Sequence, residues 1–517
     1  MIGLKLEGNL VRCKATTKLS KVILQHNIPL YMPCGEGKKC GKCVVKIVKN
    51  APEPTPTERD FLQKQELADG LRLACCVFVV DGMEVVDIAK EQKMSRIVSS
   101  ETKIAMVEPL FQENEIGIAI DLGTTTLAVR GFTSSIKEAT KSVVRRNPQS
   151  VFGSDVISRI ESALLGNAEK LQEVVIHALQ EMIDEIVETK EFAEKKVGAI
   201  VITGNTTMLY LLTRKNPKSL AKAPFFAEHL FGEYVEKPIL SLRDSKKIYL
   251  MRCISAFVGG DIATAILASG MMKQGEKNLL IDIGTNGEIV FWNDEKLYCC
   301  STAAGPALEG AELTSGMTAT TGAIAKVTFS ENEFHYETVD GSKPKGLCGS
   351  GIIDALSLMK DLCFIDEMGA IDKEELQKNG AFVQLENDIA CRVTENVAIS
   401  QRDIRKIQLA KSAICAGILT LIEESGVSLK EVTTLYIAGG FGTYMNLENA
   451  ANIGLIPKEL VAKTKVIGNA ALDGASLLLG NKNEFRALEY LEQLAETIDL
   501  SKNKIFMEHY IDGMEFE

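Results

Sequence analysis

One pattern occurs twice in this chain. The run Ile118-Ala119-Ile120-Asp121-Leu122-Gly123-Thr124-Thr125 returns as Leu280-Ile281-Asp282-Ile283-Gly284-Thr285-Asn286-Gly287, each copy an apolar strand, an Asp near its end, then a Gly/Thr turn. Recurrence at this separation reads as a duplicated domain. Such a turn points backbone N–H groups and hydroxyls into the space beyond the strand, where phosphate oxygens can be held, and the Asp can position Mg²⁺ through water. A single copy is ordinary turn chemistry. Two copies joined by a third glycine turn, Tyr436-Ile437-Ala438-Gly439-Gly440-Phe441-Gly442, favour a nucleotide site.

The surroundings of the repeat fit that reading. Short β-branched runs at 116–120, 198–202, 278–281 and 435–438 alternate with long amphipathic stretches at 171–189 and 404–425. That alternation predicts an α/β sheet domain over 116–517, with lobes at 116–275 and 276–517.

The N-terminal part carries a different signal. Cys34-Gly35-Glu36-Gly37-Lys38-Lys39-Cys40-Gly41-Lys42-Cys43 sets three thiols at C-x5-C-x2-C, and Cys75 follows as a fourth. This is a ferredoxin-like spacing. Convergence of thiolates on an iron–sulfur cluster needs a tight loop, and Gly35, Gly37 and Gly41 are free to take positive φ and leave N–H groups facing sulfur. Zinc ribbons generally bring two C-x2-C knuckles, and this segment has one. A [2Fe–2S] cluster on Cys34, Cys40, Cys43 and Cys75 is the expectation, with Cys75 preferred over its neighbour Cys76. Lys38, Lys39, Lys42, Lys46 and Lys49 surround the loop and would raise the cluster potential or dock an acidic electron donor.

Charge separates the two parts. Residues 1–90 carry 14 Lys/Arg against 10 Asp/Glu, whereas residues 91–517 carry 44 against 59. A net charge of −11 argues against a nucleic-acid-wrapping surface. No apolar run approaches the roughly 18 residues that span a bilayer, and Lys5, Glu7 and Arg12 stand where a signal peptide would be apolar. A cytoplasmic protein without membrane or nucleic-acid partners is expected. Thirteen dispersed cysteines read as reduced thiols rather than a disulfide framework. Residues 91–115 read as a partly helical linker. A second cluster on Cys299, Cys300 and Cys348 is a minor alternative.

Together, the Asp-Gly-Thr turns and the glycine turn resemble the phosphate-1, phosphate-2 and adenosine motifs of the actin, sugar kinase and Hsp70 superfamily. With the cysteine domain in front, the chain resembles the reductive activators of corrinoid proteins found in methyltransferase systems of anaerobes. Family-like stretches recur at Asn147-Pro148-Gln149, Gly153-Ser154-Asp155-Val156 with Arg159, Thr203-Gly204-Asn205-Thr206-Thr207-Met208, Gly259-Gly260-Asp261 and Ala304-Gly305-Pro306-Ala307-Leu308-Glu309-Gly310. A short linker and Cys76, where glutamine is expected, depart from the family pattern.

The resemblance implies an α/β plus α+β chain: a small β-grasp ferredoxin-like domain at 1–90, then a duplicated actin-like, ribonuclease H-like ATPase domain. It implies ATP-dependent transfer of one electron from the [2Fe–2S] cluster to Co(II) of an inactivated corrinoid protein, restoring Co(I). A low-potential donor protein and a homodimer come with it. Asp121, Gly123, Thr124 and Thr125 would take the first phosphate and Mg²⁺ face, Asp282, Gly284, Thr285 and Asn286 the second, and Gly439, Gly440 and Gly442 would border adenosine. The base orienting the attacking water is Asp282 or Asp261. Glu309, expected on an exposed loop, is the candidate contact to the cobalt face. The alternatives are a small-molecule kinase with a fused ferredoxin domain and a nucleotide-switched binding protein.

Overall fold

The computed structural model describes the chain apart from residues 27, 29, 31, 33–35, 39, 40, 63, 87–103, 105, 134–140, 191, 193, 194, 236–246, 386, 387, 441 and 517. In the N-terminal domain, hairpin Ile2–Leu6 and Asn9–Cys13 is followed by helix Leu19–Gln25, which buries Leu19, Val22 and Ile23. The sheet runs in the order Asn9–Cys13, Ile2–Leu6, Glu84–Val86, Val44–Lys49, Leu71–Leu73, with the first and last strands of the domain parallel at its centre. This is the β-grasp arrangement.

The duplication is visible in the two large sheets. In the first, Glu115–Leu122 pairs parallel with Lys196–Gly204 and antiparallel with Thr126–Thr133, which pairs with Lys141–Arg146. In the second, Asn278–Ile283 pairs parallel with Thr434–Ala438 and antiparallel with Gly287–Trp292, which pairs with Leu297–Thr302. Each sheet alternates its side chains between two cores, as the period-2 strand requires. Ile116, Ile118 and Ile120 face a core shared with helix Ala168–Val187, and Leu279, Ile281 and Ile283 face the core around helices Gly349–Asp361 and Gln401–Glu424. The opposite faces, among them Ala119, Val201, Leu280 and Tyr436, meet in a central layer with helices Gly260–Ser269 and Ala470–Gly480.

The central layer joins residues of both lobes. Helix Ala470–Gly480 lies beyond residue 276 in sequence but packs on the first sheet, because Arg130 on Thr126–Thr133 pairs with Asp473 at 2.5 Å, both side chains being buried. The helices of this layer approach so closely that a Cβ on Gly474 would stand 2.0 Å from the Thr264 carbonyl oxygen. The end of the expected linker is also not free. Residues 91–103 and 105 lie outside the described residues, but Ile104 and Phe111 are buried, and the Val107 and Leu110 N–H groups donate to the Gly480 and Leu479 carbonyls at 3.0 Å. A second cluster on Cys299 and Cys300 is excluded by strand alternation, since Cys299 faces the central layer and Cys300 the second-lobe core. Among the described residues no helix is long and apolar enough to cross a membrane.

Asp473→Ala leaves the Arg130 guanidinium buried without its partner, which costs about 3–5 kcal/mol. Denaturant unfolding of the large domain is expected to show a loss of that size, and Arg130→Met with Asp473→Leu to recover part of it.

Candidate functional site

The two Asp-bearing strands end at one cleft. Asp121 lies beside Thr203 in the parallel ladder of the first sheet, and Asp282 beside Ala438 in that of the second. Asp261 enters from the first turn of helix Gly260–Ser269 and accepts from the Ile262 N–H at 2.9 Å. Glu288 joins them through hairpin register, because the turn after Ile283 brings it opposite Asp282.

These carboxylates perturb one another. Burial, with the charge of Asp282, pushes Asp121 up to about 7 against the hydrogen bond from Asn469 Nδ2 at 2.9 Å. Burial alone pushes Asp282 up to about 6. Asp261 and Glu288 are raised by burial first and then by their carboxylate neighbours. Desolvated acids at this density favour the protonated form unless a cation joins them. The residues fit a divalent metal held with phosphates, and the donor set is all oxygen, as Mg²⁺ prefers.

The turns supply hydroxyl groups. Thr124 Oγ1 accepts from Asn205 Nδ2 at 2.8 Å, while Asn205 caps helix Thr206–Thr213 through the Met208 N–H. Thr125 and Thr285, one from each turn, both donate to Glu309, at 3.3 and 3.4 Å. Glu309 is therefore not on an exposed loop. The segment Pro306–Glu309 folds as a short 3-10 turn that carries it into the cleft between the lobes, where burial raises its pKa against those two hydroxyls.

The third glycine turn closes on the second. Gly439 has φ +86°, and a Cβ there would lie 2.5 Å from Asp282 Oδ1. Gly440 borders open space, whereas a Cβ on Gly442 would meet Ile437. Gly123 and Gly284 lie in their turns, Gly123 so tightly that a Cβ would stand 2.6 Å from the Thr126 carbonyl oxygen. Asn286 closes the second turn, its carbonyl accepting from the Gly284 N–H at 3.0 Å.

In the N-terminal domain, Cys34 and Cys40 lie outside the described residues. Cys43 and Cys75 are buried thiols outside any disulfide. The Val44–Lys49 and Leu71–Leu73 ladder extends through an Ala74 N–H to Cys43 carbonyl bond at 2.9 Å, which sets Ala74, the residue before Cys75, opposite Cys43. Arg72, one strand position before, is clamped by buried Glu58 through Nε and Nη2 at 2.8 and 2.9 Å, and Glu58 also accepts from the Leu73 N–H. Contact with Cys75 at 3.7 Å, then burial, holds the Cys76 thiol well above its ordinary value. In the loop, positive φ falls on Glu36, Lys38 and Gly41, and Glu36 is tied to the helix by Ser20 and Lys18. Two buried thiols, Cys43 at the end of such a loop and Cys75, fit an iron–sulfur cluster.

Known proteins match this layout along its whole length. The model described as the C-terminal domain of RACo, the ASKHA domain, matches residues 276–517, and that of the RACo middle region matches residues 116–274. A 2Fe-2S iron-sulfur cluster binding domain matches residues 4–80. The corrinoid activation enzyme RamQ of Eubacterium limosum is 34% identical over 450 residues, 83% of this chain and 75% of its own. The chain belongs to the RACo family. The [Co(II) methylated amine-specific corrinoid protein] reductase of Methanosarcina barkeri is 25% identical over 76% of this chain and 73% of its own. A solved structure of a reductive activator for corrinoid, iron-sulfur protein superposes with TM-score 0.71 at 26% identity, covering 100% of this chain and 98% of that one. As a RACo-family chain it joins a [2Fe–2S] ferredoxin-like domain to an actin-like ATPase domain.

Several cleft residues escaped the motif reading. Glu288 was recoverable by continuing the hairpin past Gly287. Asn205 and Asn469 each cap a helix, and only the folded chain shows that they also reach Thr124 and Asp121. Gly439→Val places a side chain at positive φ and against Asp282. ADP affinity, measured by titration calorimetry, is expected to fall about 10-fold or more while the visible spectrum of the cluster stays unchanged.

Proposed function

We propose that this chain is an ATP-dependent reductive activator that passes one electron to Co(II) of an inactivated corrinoid protein and restores the Co(I) nucleophile. What carries the reading is one chain that couples buried cluster-type thiols to a two-lobed carboxylate cleft, together with its similarity to two named corrinoid activators. A [2Fe–2S] cluster on Cys34, Cys40, Cys43 and Cys75 supplies one-electron transfer when bound.

ATP is needed for an energetic reason. Plant-type clusters sit near −400 mV, and for one electron each ~59 mV of uphill gap costs about 1.4 kcal/mol. In the cleft, Asp121 and Asp282 hold Mg²⁺ from the two lobes, and Thr124, Thr125, Thr285 and Asn286 with the Gly123 and Gly284 turns orient the phosphates. Gly439, Gly440 and Gly442 leave room for adenosine. Asp261, raised by burial and facing both aspartates, is placed to accept a proton from the attacking water. Because the two aspartates belong to different sheets, holding one metal–phosphate group draws the lobes together, and the corrinoid protein is bound by one of the two lobe arrangements. A low-potential donor protein reloads the N-terminal domain, its basic loop offering the docking charge. Family resemblance supports a homodimer through the large domain and a cytoplasmic setting.

Anaerobic visible spectroscopy tests the reading. Corrinoid protein loaded with cob(II)alamin is mixed with this chain and a low-potential reductant. The Co(I) band is expected with Mg-ATP and not without it, and Cys43→Ala is expected to abolish the band while ATP hydrolysis continues. Equal Co(I) formation with and without ATP would overturn the reading. Asp282→Asn is expected to lower the hydrolysis rate about 100-fold or more.

A further inference from the structure

Beyond the phosphate turns the cleft opens into a pocket lined by Thr125, Thr285 and Glu309 on one side and by Arg146, Ser154 and Arg159 on the other. The second wall is built from stretches that the nucleotide reading does not use, Asn147-Pro148-Gln149 and Gly153-Ser154-Asp155 with Arg159. It is fastened to the first phosphate turn, since Asn147 Nδ2 donates to the Gly123 carbonyl at 2.8 Å and the Asn147 N–H to the Thr125 carbonyl at 2.9 Å. Gly153 lets this wall close, because a Cβ there would stand 2.7 Å from the Arg159 backbone nitrogen.

Arg159 is 1% exposed, yet it lines an open cavity. Its acceptors among the described residues are the Gly153 carbonyl on Nε at 2.9 Å and the Met208 sulfur on Nη1 at 3.2 Å. A guanidinium has five N–H donors, and a thioether is a weak acceptor. The nearby carboxylate of Asp155 is committed to the Ser158 N–H that it caps and to Ser154. Burial lowers the proton affinity of Arg159, Asp155 works against that, and Arg146 adds to it as a second cation. Two like charges, one of them Arg159 with donor capacity left over, lining one pocket with hydroxyls from both phosphate turns, are the recognition chemistry of a tetrahedral oxyanion. Glu309 now takes the Thr125 and Thr285 hydroxyls, with Arg146 near enough to lower its pKa.

We propose that this pocket is an oxyanion subsite in which Arg159 and Arg146 hold the terminal phosphoryl group of the nucleotide and the inorganic phosphate released from it. The inference rests on the nucleotide reading above and adds the residues that read the third phosphate. In hydrolysis the water oxygen bonds to the terminal phosphorus as the bond to ADP breaks, the electron pair leaves with ADP, and the water's proton passes to a carboxylate. The product phosphate then stays on the two guanidiniums between the lobes, so the cleft distinguishes its states before and after phosphate release. Arg159 is thereby a positioning residue for the third phosphate, distinct from the carboxylates that hold metal.

The test uses the full chain with Mg²⁺ and titrates ADP and the non-hydrolysable analogue AMPPNP separately. Arg159→Met and Arg146→Gln are each expected to weaken AMPPNP about 10-fold or more while ADP changes by no more than about 2-fold. Inorganic phosphate added with ADP separates the two sources of the oxyanion. A rise in melting temperature in the native chain but not in the variants shows capture of free phosphate, and no rise with the AMPPNP effect intact confines the subsite to the attached phosphoryl group. An unchanged ratio of AMPPNP to ADP affinity in the variants overturns the proposal. Failure of the native chain to bind ADP overturns the nucleotide reading instead. If Arg159→Met does not fold, Arg146→Gln decides.

Discussion

The cleft is organised around repulsion. Asp121, Asp261, Asp282 and Glu288 are brought together by two sheets and a helix start, and burial raises all four. Such a group costs folding free energy in proportion to how strongly its charges are desolvated. That cost is a means of making nucleotide binding consequential, because a metal–phosphate group relieves it only when both lobes contribute. The rest of the large domain serves this arrangement. Matching orders over five strands of each sheet deliver one aspartate per lobe, and the buried Arg130–Asp473 pair fixes the helix whose cap, Asn469, steadies Asp121.

The two halves are duplicated but not equivalent. Asp121 stands across from Ala128, whereas Asp282 stands across from Glu288. The second lobe thus sets its two carboxylates on one hairpin, while the first supplies Arg146 and Arg159 on the pocket wall. Each lobe brings two carboxylates to the cleft, Asp121 and Asp261 from the first and Asp282 and Glu288 from the second. On the proposed reading, a terminal phosphate between these groups touches both lobes, the geometry needed for a nucleotide to change how a partner is held.

Much of this was legible in the sequence. The Asp-Gly-Thr repeat located both aspartates, since strand-then-turn is local and the repeat is a strong signal. The C-x5-C-x2-C loop with Cys75 marked the first domain, because ligand spacing is set by chain geometry rather than by long-range packing. Tertiary contacts set the remaining residues. Glu309 was expected at the surface because its neighbours, Gly305, Pro306 and Gly310, are loop formers. Its place between Thr125 and Thr285 depends on residues far along the chain. The alternation that separates Cys299 from Cys300 follows from strand assignment. The docking of Val107 and Leu110 on Gly480 and Leu479 had no local signature, as short apolar segments in a charged stretch do not reveal what covers them.

The most direct measurement of the central claim is thermal melting of the full chain with Mg²⁺ alone, with ATP in excess chelator, and with both together. The account predicts that the pair raises the melting temperature of the large domain by several degrees, and that either component alone gives a small fraction of that rise. ATP in chelator stabilising the chain as strongly as Mg-ATP would contradict it, because the buried carboxylates would then not be a metal–phosphate site.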